Sequence, residues 1–363
     1  MFFSKYISRL LILVLYLFFF RPELSAKIQY PDFDHSMCRQ GLGLESLNSN
    51  FNERSQRIYE KRNQEFLSFF KQIYYQNIKE AEQESKKIEH IPRIVHQIWL
   101  GSPVPNEFRQ WMDSWRHEGW EYKLWTDEEV AKLNMVNRAL YDQSENFGEK
   151  SDIARLEILY QYGGLYVDTD FECLNIDIFA ELHRGFDFYI GFEPLEHGFT
   201  HKFNMNKFCN ALIGSAAGHP LLHDLIVNIK ANYLAHRKCC NTVLRTGPIY
   251  LTRIICEFET AGTHDKRNIY LPCTFFYPLT GPEIRKISDF QLRIPNETAG
   301  IHYWCGSWTK YFKLPGRSNP LDSIYLDTYS RAEPLDSTYL DTYSREEPLD
   351  SIYLDIYTRE EPK

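Results

Sequence analysis

The sequence predicts an α/β fold with a mostly parallel central sheet, preceded by a helical extension. The first observation is alternation, because between residues 91 and 170 short β-prone apolar segments alternate with segments of helical periodicity. The second is composition, since 43% hydrophobic and 25% charged residues are typical of a globular protein. The third is length, because 363 residues are enough for one large domain with appendages.

Residues 1–26 have the layout of a targeting segment. Lys5 and Arg9 are positive, the run from Leu10 to Phe20 is apolar, and Leu24-Ser25-Ala26 resembles a cleavage site. The apolar run is shorter than the roughly 20 residues of a membrane span. We favour a cleaved signal peptide over a signal anchor in which residues 5–20 bind a membrane. Either reading predicts a lumenal, periplasmic or extracellular location.

The remaining chain divides into three predicted parts. Residues 27–90 form the helical extension, in which aromatic residues such as Phe66 and Phe70 recur at helical spacing. Residues 91–312 form the main domain. Residues 313–363 form a weakly ordered tail, because Pro320, Pro334 and Pro348 each open a copy of a 14-residue repeat. That period is too short for a solenoid unit.

Charge and cysteine spacing exclude some classes of function. The net charge is −8 and no basic patch is evident, so nucleic acid is not an expected partner. The eight cysteines contain no CxxC spacing, so no zinc site is expected. Disulfide pairing stays open at this level. Asn296-Glu297-Thr298 is a glycosylation sequon, usable in a eukaryotic secretory route.

The main domain opens with a series of elements that end at two acidic residues. Ser151 is the predicted N-cap of a helix that ends at Gly163-Gly164, and Asp168-Thr169-Asp170 directly follows an apolar strand. Ligands of parallel sheets bind beyond the carboxyl ends of the strands. The predicted elements are strands over 93–100, 120–125 and 165–167 and helices over 106–117 and 151–162.

Asp168 and Asp170 are the candidate metal ligands. Two carboxylates two residues apart at a strand end can face one point, and such hard oxygen ligands suit Mg²⁺ or Mn²⁺ together with phosphate oxygens. A bound cation would neutralise a diphosphate leaving group. An isolated pair of this kind is also common in solvated turns. Asp152 and Arg155 lie one helical turn apart on the same helix face. They form either a surface ion pair or a pair that binds sugar hydroxyls and phosphate.

Three sequence blocks resemble one enzyme family. They are IPRIVHQIWLG (residues 91–101), SDIARLEILYQYGGLYVDTDFECL (residues 151–174) and IHYWCGSW (residues 301–308). These blocks resemble the glycosyltransferases with a DXD-containing sugar-binding region, including the yeast Golgi initiating α-1,6-mannosyltransferase. The glucosyltransferase domains of large clostridial toxins are more distantly similar. The resemblance spans roughly residues 90–310.

The resemblance implies a GT-A-like, Rossmann-type domain and a divalent cation, Mn²⁺ or Mg²⁺. Asp170 matches the acid that ligates the metal directly, and Asp168 matches the acid near the ribose, the sugar and the metal. The expected catalytic residues are Asp168, Asp170 and Arg155.

The resemblance also implies a donor site. Trp99 matches the residue that stacks on the donor base, and Asp152 and Arg155 match contacts to the donor sugar. Three further expected donor contacts close the site from its C-terminal side: His302, Ser307 and Trp308. His96, by contrast, is read as a satisfied buried histidine rather than a base.

The expected function is therefore a metal-dependent hexosyltransferase, which uses a UDP- or GDP-sugar donor and a glycan, lipid or protein acceptor. The family resemblance implies retention of configuration, and Glu193 is the one weak candidate for a covalent nucleophile. A metal-dependent hydrolase or nuclease is a second reading, although it does not explain Trp99. A catalytically inactive secreted sugar-binding or adhesion protein is the third.

Overall fold

The computed structural model describes residues 28–40, 42, 61–84, 88–197, 206–238, 241–284 and 294–307. The predicted targeting segment, the repeat tail and Trp308 lie outside these residues. Within them, no helix is both long enough and apolar enough to cross a membrane. The domain boundaries proposed from the sequence stay predictions.

A six-stranded mixed sheet forms the centre of the described domain. Its strands lie in the order β2-β1-β3-β6-β5-β7, and β6 alone runs antiparallel to the other five. β4 and β8 form a separate antiparallel pair. The predicted α/β class with a mostly parallel sheet is confirmed. The strands are β1 (Ile94–Ile98), β2 (Glu121–Trp125), β3 (Gly164–Val167), β4 (Phe171–Cys173), β5 (Phe188–Phe192), β6 (Phe208–Ser215), β7 (Asn268–Leu271) and β8 (Gly300–His302).

Helices cover the sheet, and one short 3₁₀ helix (Cys273–Phe275) follows β7. Every residue of β3, β5, β6 and β7 is buried, as expected for strands covered on both faces. The α-helices are α1 (Phe33–Met37), α2 (Lys61–Gln83), α3 (Asn106–Asp113), α4 (Asp127–Lys132), α5 (Arg138–Gln143), α6 (Phe147–Tyr162), α7 (Ile176–Gly185), α8 (Pro220–Ala235), α9 (Thr242–Arg245), α10 (Pro248–Ala261) and α11 (Gly281–Ile284).

The helix before the acidic motif begins earlier than its sequence predicts. α6 starts after Asn146, whose Oδ1 accepts from the backbone N–H groups of Gly148 and Glu149, so the prediction of Ser151 as N-cap is wrong. Ser151 lies inside the helix. Residues 152–159 are all buried, because α6 packs against α8 as well as against the sheet. The sequence predicts one apolar face for this helix, formed by Ile153, Leu156, Leu159 and Tyr160, but α6 is buried on more than one face.

The Gly163-Gly164 pair fixes the path from α6 into β3. Gly163 (φ 63°) and Gly164 (φ 101°) both have positive φ, which favours glycine. A Cβ at Gly164 would lie 2.5 Å from the carbonyl oxygen of Ile94 on the neighbouring strand. β1 and β3 therefore approach closely, and this turn determines where the chain leaves β3.

The N-terminal extension contributes to the same hydrophobic core. Phe66 and Phe70 of α2 contact Phe192 and Phe208 at ring-centroid distances of 4.9–6.0 Å. Phe33 of α1 contacts Phe192 at 5.8 Å. The described part of residues 27–90 thus packs against β5 and β6.

Candidate active site at the carboxyl edge of the sheet

The two motif acids lie directly beyond the carboxyl end of β3. The backbone N–H of Asp168 donates to the carbonyl of Ala211 at 2.8 Å, which extends the β3–β6 pairing by one residue. The Asp168 side chain is 29% exposed, whereas that of Asp170 is 10% exposed. The tight turn at Thr169 directs both carboxylates to one region, where His302 of β8 lies.

A turn after β8 wraps around Asp170. The N–H of Cys305 donates to Asp170 Oδ2 at 2.7 Å, and the N–H of Tyr303 donates to the Asp170 carbonyl at 2.9 Å. His302 Nε2 lies 3.2 Å from Asp170 Oδ1. Burial opposes the charge on Asp170, but His302 and the Cys305 N–H outweigh it and hold the pKa of Asp170 below its usual value. These contacts therefore favour the ionised form of the Asp170 carboxylate.

The pKa values of the neighbouring His302 and Asp168 are raised, whereas that of Asp170 is lowered. Burial disfavours a charged His302, but the attraction of Asp170 outweighs it and raises the pKa of the imidazole. Burial, together with the charge of Asp170, raises the pKa of Asp168 despite the opposing pull of Arg155. The charges of the two carboxylates and the imidazole thus act on one another. A cation bound among them would offset the negative charge of the two carboxylates.

The residues present fit a divalent cation. Asp168, Asp170 and His302 each offer one ligand atom, and these atoms all lie within 4.8 Å of one another. Among the described residues, no other group of carboxylates, imidazoles and thiols is this close. Two carboxylates with one imidazole suit Mn²⁺ better than Mg²⁺, because Mg²⁺ binds oxygen ligands and retains its waters.

Arg155 links the helix α6 to the first motif acid. Its Nη1 lies 3.4 Å from Asp168 Oδ1 and donates to the Asn210 carbonyl at 2.5 Å. Its guanidinium lies over the ring of Tyr166, 4.4 Å from the centroid, and the Tyr166 hydroxyl donates to Asp168 Oδ1 at 2.6 Å. Arg155 and Tyr166 together hold the Asp168 carboxylate in one orientation.

Asp152 is buried within the same network. Its Oδ1 lies 3.1 Å from Arg155 Nη2 and accepts from Asn210 Nδ2 at 2.8 Å, while Oδ2 accepts from Thr246 Oγ1 at 2.8 Å. Burial raises the pKa of Asp152 to about 6. The side chain is 7% exposed, so the sequence-based alternative of a surface ion pair is wrong.

Trp99 lies at the same edge, just after β1. Its ring packs against Phe108 at 4.9 Å and its Nε1 donates to Ser102 Oγ at 3.2 Å. Trp99, Tyr303 and Cys305 all pack against the small hydrophobic cluster of α3, which joins Trp99 to the turn around Asp170. The ring of Phe147, which is 45% exposed, covers Gly101, so a side chain at position 101 would require this ring to move.

His96 and Glu193 have engaged side chains. His96 is fully buried, its Nδ1 accepts from Trp125 Nε1 at 3.1 Å, and its Nε2 donates to the Gly163 carbonyl at 2.9 Å. Glu193 Oε2 lies 2.8 Å from His197 Nδ1 and 3.1 Å from Lys207 Nζ. Neither side chain is therefore presented as a base or a nucleophile.

The structure brings together most of the predicted site residues. Ser307 is exposed at the end of its described segment, and Trp308 lies outside the described residues. The residues that the structure joins at the carboxyl edge are Trp99, Asp152, Arg155, Asp168, Asp170 and His302.

Three contributors to the site were not identified from the sequence. Tyr166 could have been found, because a residue two positions before Asp168 on a strand points to the same face. Thr246 and the Cys305 N–H could not, since they reach the site from distant segments with no local pattern. His302 was expected to contact the donor, and the structure places its Nε2 3.2 Å from Asp170 Oδ1, beside the candidate metal group.

A known protein family matches the segment that contains both motif acids. Residues 105–177 match the family described as "Glycosyltransferase sugar-binding region containing DXD motif". Over these residues, the resemblance to that glycosyltransferase family that the sequence predicts is confirmed.

Two yeast proteins with named activities are similar in sequence to this chain. Over 183 residues the chain is 27% identical to inositol phosphoceramide mannosyltransferase 1 of Schizosaccharomyces pombe. This match covers 47% of this chain and 53% of the relative. Over 178 residues it is 29% identical to inositol phosphoceramide mannosyltransferase 3 of the same yeast. This match covers 45% of this chain and 44% of the relative. The chain spans about half the length of these relatives.

Among solved structures, the chain is similar to the PaToxG glycosyltransferase, with a TM-score of 0.37 and 18% sequence identity. The match covers 56% of this chain and 80% of that structure.

Proposed function

We propose that this protein is a metal-dependent glycosyltransferase with a GT-A-type domain, which transfers a hexosyl group from a nucleotide sugar with retention of configuration. The observation that carries the proposal is the group formed by Asp168, Asp170 and His302 at the carboxyl edge of the sheet. Asp168 and Asp170 lie within the segment that matches the sugar-binding family. The proposed metal ligands thus combine the two acids of the sequence motif with His302 from β8.

Each residue has a role that follows from its contacts. Asp170 and His302, with Asp168, would hold a divalent cation, Mn²⁺ in the first instance. The cation would neutralise the diphosphate that leaves as the glycosidic bond breaks. Arg155 orients Asp168 and adds positive charge beside the leaving group.

The donor base would stack on Trp99, with the exposed ring of Phe147 as a second wall beside Gly101. Asp152 and Arg155 would face the donor sugar from α6, and His302, Ser307 and Trp308 would close the C-terminal side. Residues held by several internal hydrogen bonds, as Asp152 and Arg155 are, present a fixed geometry to a substrate.

A front-face reaction is consistent with the engaged state of Glu193. Its carboxylate is paired with Lys207 and His197, so no free carboxylate is offered as a covalent nucleophile at that position. The departing phosphate would then take the proton from the acceptor hydroxyl.

The names of the relatives suggest the substrates to test first. We propose a nucleotide-linked mannosyl donor, with GDP-mannose tested first, and a lipid acceptor that carries an inositol phosphate, because both yeast relatives are named as inositol phosphoceramide mannosyltransferases. Glucose, galactose and N-acetylglucosamine donors, and glycan or protein acceptors, are the alternatives within the same class. The predicted targeting segment supports a place in the secretory route.

The test is a donor screen on the chain without its first 26 residues, with Mn²⁺, Mg²⁺ or EDTA, which follows release of UDP or GDP. Release from one nucleotide sugar that requires a divalent cation supports the proposal and identifies the donor. The acceptor and the anomeric configuration of the product are then determined with that donor by NMR.

The matched control for this screen is Asp170→Asn, which retains the size of the side chain and removes its charge. If neither protein releases nucleotide and neither binds any donor, the proposed activity is wrong. The inactive sugar-binding or adhesion reading is then favoured.

A further inference from the structure

The imidazole of His302 is enclosed by aromatic rings. Phe171 stacks on it at 5.4 Å with an interplanar angle of 11°, Trp304 contacts it at 4.2 Å, and Tyr277 meets it edge-on at 5.9 Å. Among the described residues, His302 Nδ1 has no hydrogen-bond partner. A metal-binding histidine is usually oriented by a hydrogen bond from its second ring nitrogen. Here, the aromatic rings are what fixes the orientation of the imidazole.

Trp304 has an unusual backbone conformation. Its φ is 53°, in the left-handed region that bulky residues rarely adopt. This conformation turns the chain so that the N–H groups on either side, of Tyr303 and Cys305, both donate to Asp170. Backbone strain of this kind persists only where the surroundings hold it.

The indole of Trp304 is held from several directions. Its Nε1 donates to the Leu279 carbonyl at 2.8 Å, and its ring contacts Tyr277 at 5.6 Å and His197 at 4.6 Å. His197 in turn lies against Glu193. The indole therefore connects the loop after β5 with the metal group, and it cannot rotate without breaking these contacts.

We infer that Trp304 is a positioning residue of the metal site. Its indole fixes the angle of the His302 imidazole, and its left-handed backbone directs the Cys305 N–H to Asp170. The inference rests on the proposed metal-dependent function, and it goes beyond that function by assigning the site's geometry to a residue that contacts neither metal nor donor.

The two roles of Trp304 can be separated by substitution. Trp304→Gly removes the indole but readily adopts positive φ, so the turn around Asp170 is retained. Trp304→Phe retains a flat, smaller ring beside His302 and removes the hydrogen bond to the Leu279 carbonyl. Binding of Mn²⁺ is measured by the loss of the free-ion EPR signal, with no donor present.

We expect the Kd for Mn²⁺ to rise about tenfold in Trp304→Gly, as is common when a group that orients a ligand is removed. Trp304→Phe should bind Mn²⁺ within about threefold of the unsubstituted protein. If the glycine variant does not fold, Trp304→Asn replaces it, because asparagine tolerates the left-handed region. An unchanged Kd in a folded variant without the indole would overturn the inference.

Trp120→Gly is the matched control. Trp120 is also partly buried and also contacts a histidine, His183 at 4.9 Å, but it lies just before β2 at the opposite edge of the sheet. Its substitution should lower the melting temperature and leave the Kd for Mn²⁺ unchanged. A tenfold rise in Kd here as well would show that a general loss of stability, rather than the loss of positioning, explains the Trp304 result.

Asp170→Asn separates this inference from the proposed function. If the unsubstituted protein binds Mn²⁺ no more tightly than Asp170→Asn does, the metal site itself is wrong. If the unsubstituted protein binds and all Trp304 variants bind equally well, only the role of Trp304 is wrong.

Discussion

Two buried histidines, one in the middle of the sheet and one at its carboxyl edge, have opposite electrostatic character. His96 in β1 has both ring nitrogens hydrogen-bonded to neutral partners, and burial lowers its pKa to about 4. His302 lies against Asp170, which raises its pKa, and its Nδ1 has no partner among the described residues. The region around His96 is thus built for stability, and the region around His302 is built to hold charge.

The comparison teaches how this domain separates structure from chemistry. Around His96, both ring nitrogens are hydrogen-bonded, and the close packing at Gly163 and Gly164 leaves no room for a Cβ without a shift of neighbouring backbone. Around His302, charged groups of both signs are placed together before any substrate arrives. Charge that is preorganised in this way stabilises a leaving group without the cost of reorienting solvent.

The largest expected effect follows from removing charge at the edge. We expect Asp170→Asn to lower kcat/KM by about a thousandfold, because one metal ligand and its charge are lost. The melting temperature should change little, since asparagine can still accept from the Cys305 N–H. Activity is measured as nucleotide release with the donor identified in the screen. Full turnover in this variant would contradict the role of Asp170.

The part of the site that lies close together in sequence could be predicted. The succession of α6, two glycines, β3 and two acids is local, and the i,i+2 spacing of Asp168 and Asp170 is visible in the sequence itself. The strand after Arg93 was also predicted, and it is observed over Ile94–Ile98. Short-range periodicity and turn residues carry that information.

The rest depends on long-range packing, which one sequence does not encode locally. Asn210 and Thr246 reach Asp152 from β6 and from the turn after α9. The helix α10, which begins after Gly247, was not predicted either. The sequence also predicts a strand over residues 268–277, but β7 ends at Leu271, because Pro272 cannot donate to the sheet and a 3₁₀ turn follows.

The second prediction concerns the close packing beside His96. We expect Gly164→Ala to lower the free energy of unfolding by roughly 3 kcal/mol, because its Cβ would lie 2.5 Å from the Ile94 carbonyl oxygen at a φ of 101°. Gly262→Ala is the control, since its φ is also positive but no atom lies within 4 Å of the new Cβ. That control should cost about 1 kcal/mol. Equal losses in urea titrations would show that backbone strain alone, not close approach, requires Gly164.

The third prediction compares the substitution of His96 by glutamine with the same substitution of His302. His96→Gln should destabilise the protein by about 2 kcal/mol, because the Trp125 N–H or the Gly163 carbonyl loses a buried partner. Its kcat/KM should be unchanged at temperatures where it is folded. His302→Gln should show the reverse pattern, with a smaller change in stability and a loss of Mn²⁺ affinity. A loss of activity in folded His96→Gln would mean that the two regions are not independent.

The last prediction is a pH dependence of stability that arises from buried neutral histidines. His219 caps α8, where its Nδ1 accepts from the Leu221 N–H and its Nε2 donates to Asn268, and burial lowers its pKa to about 4. The unfolded chain binds a proton near pH 6.5 and the folded chain does not until about pH 4. Stability is therefore complete above pH 6.5 and is lost as the pH falls through this window, by up to about 1.4 kcal/mol per pH unit for each such histidine.

His219→Asn tests this contribution, because asparagine also caps helices but does not titrate. Urea unfolding at pH 7 and pH 5 should show a loss of stability that is smaller in His219→Asn than in the unsubstituted protein, by the share of one histidine. Asp187, Lys266 and His264 also act on this imidazole, so the comparison is made at constant ionic strength. Parallel pH profiles would mean that His219 already binds its proton in the folded protein. The contrast between neutral interior histidines and the charged edge would then rest on His96 and His183, because burial lowers the pKa of both.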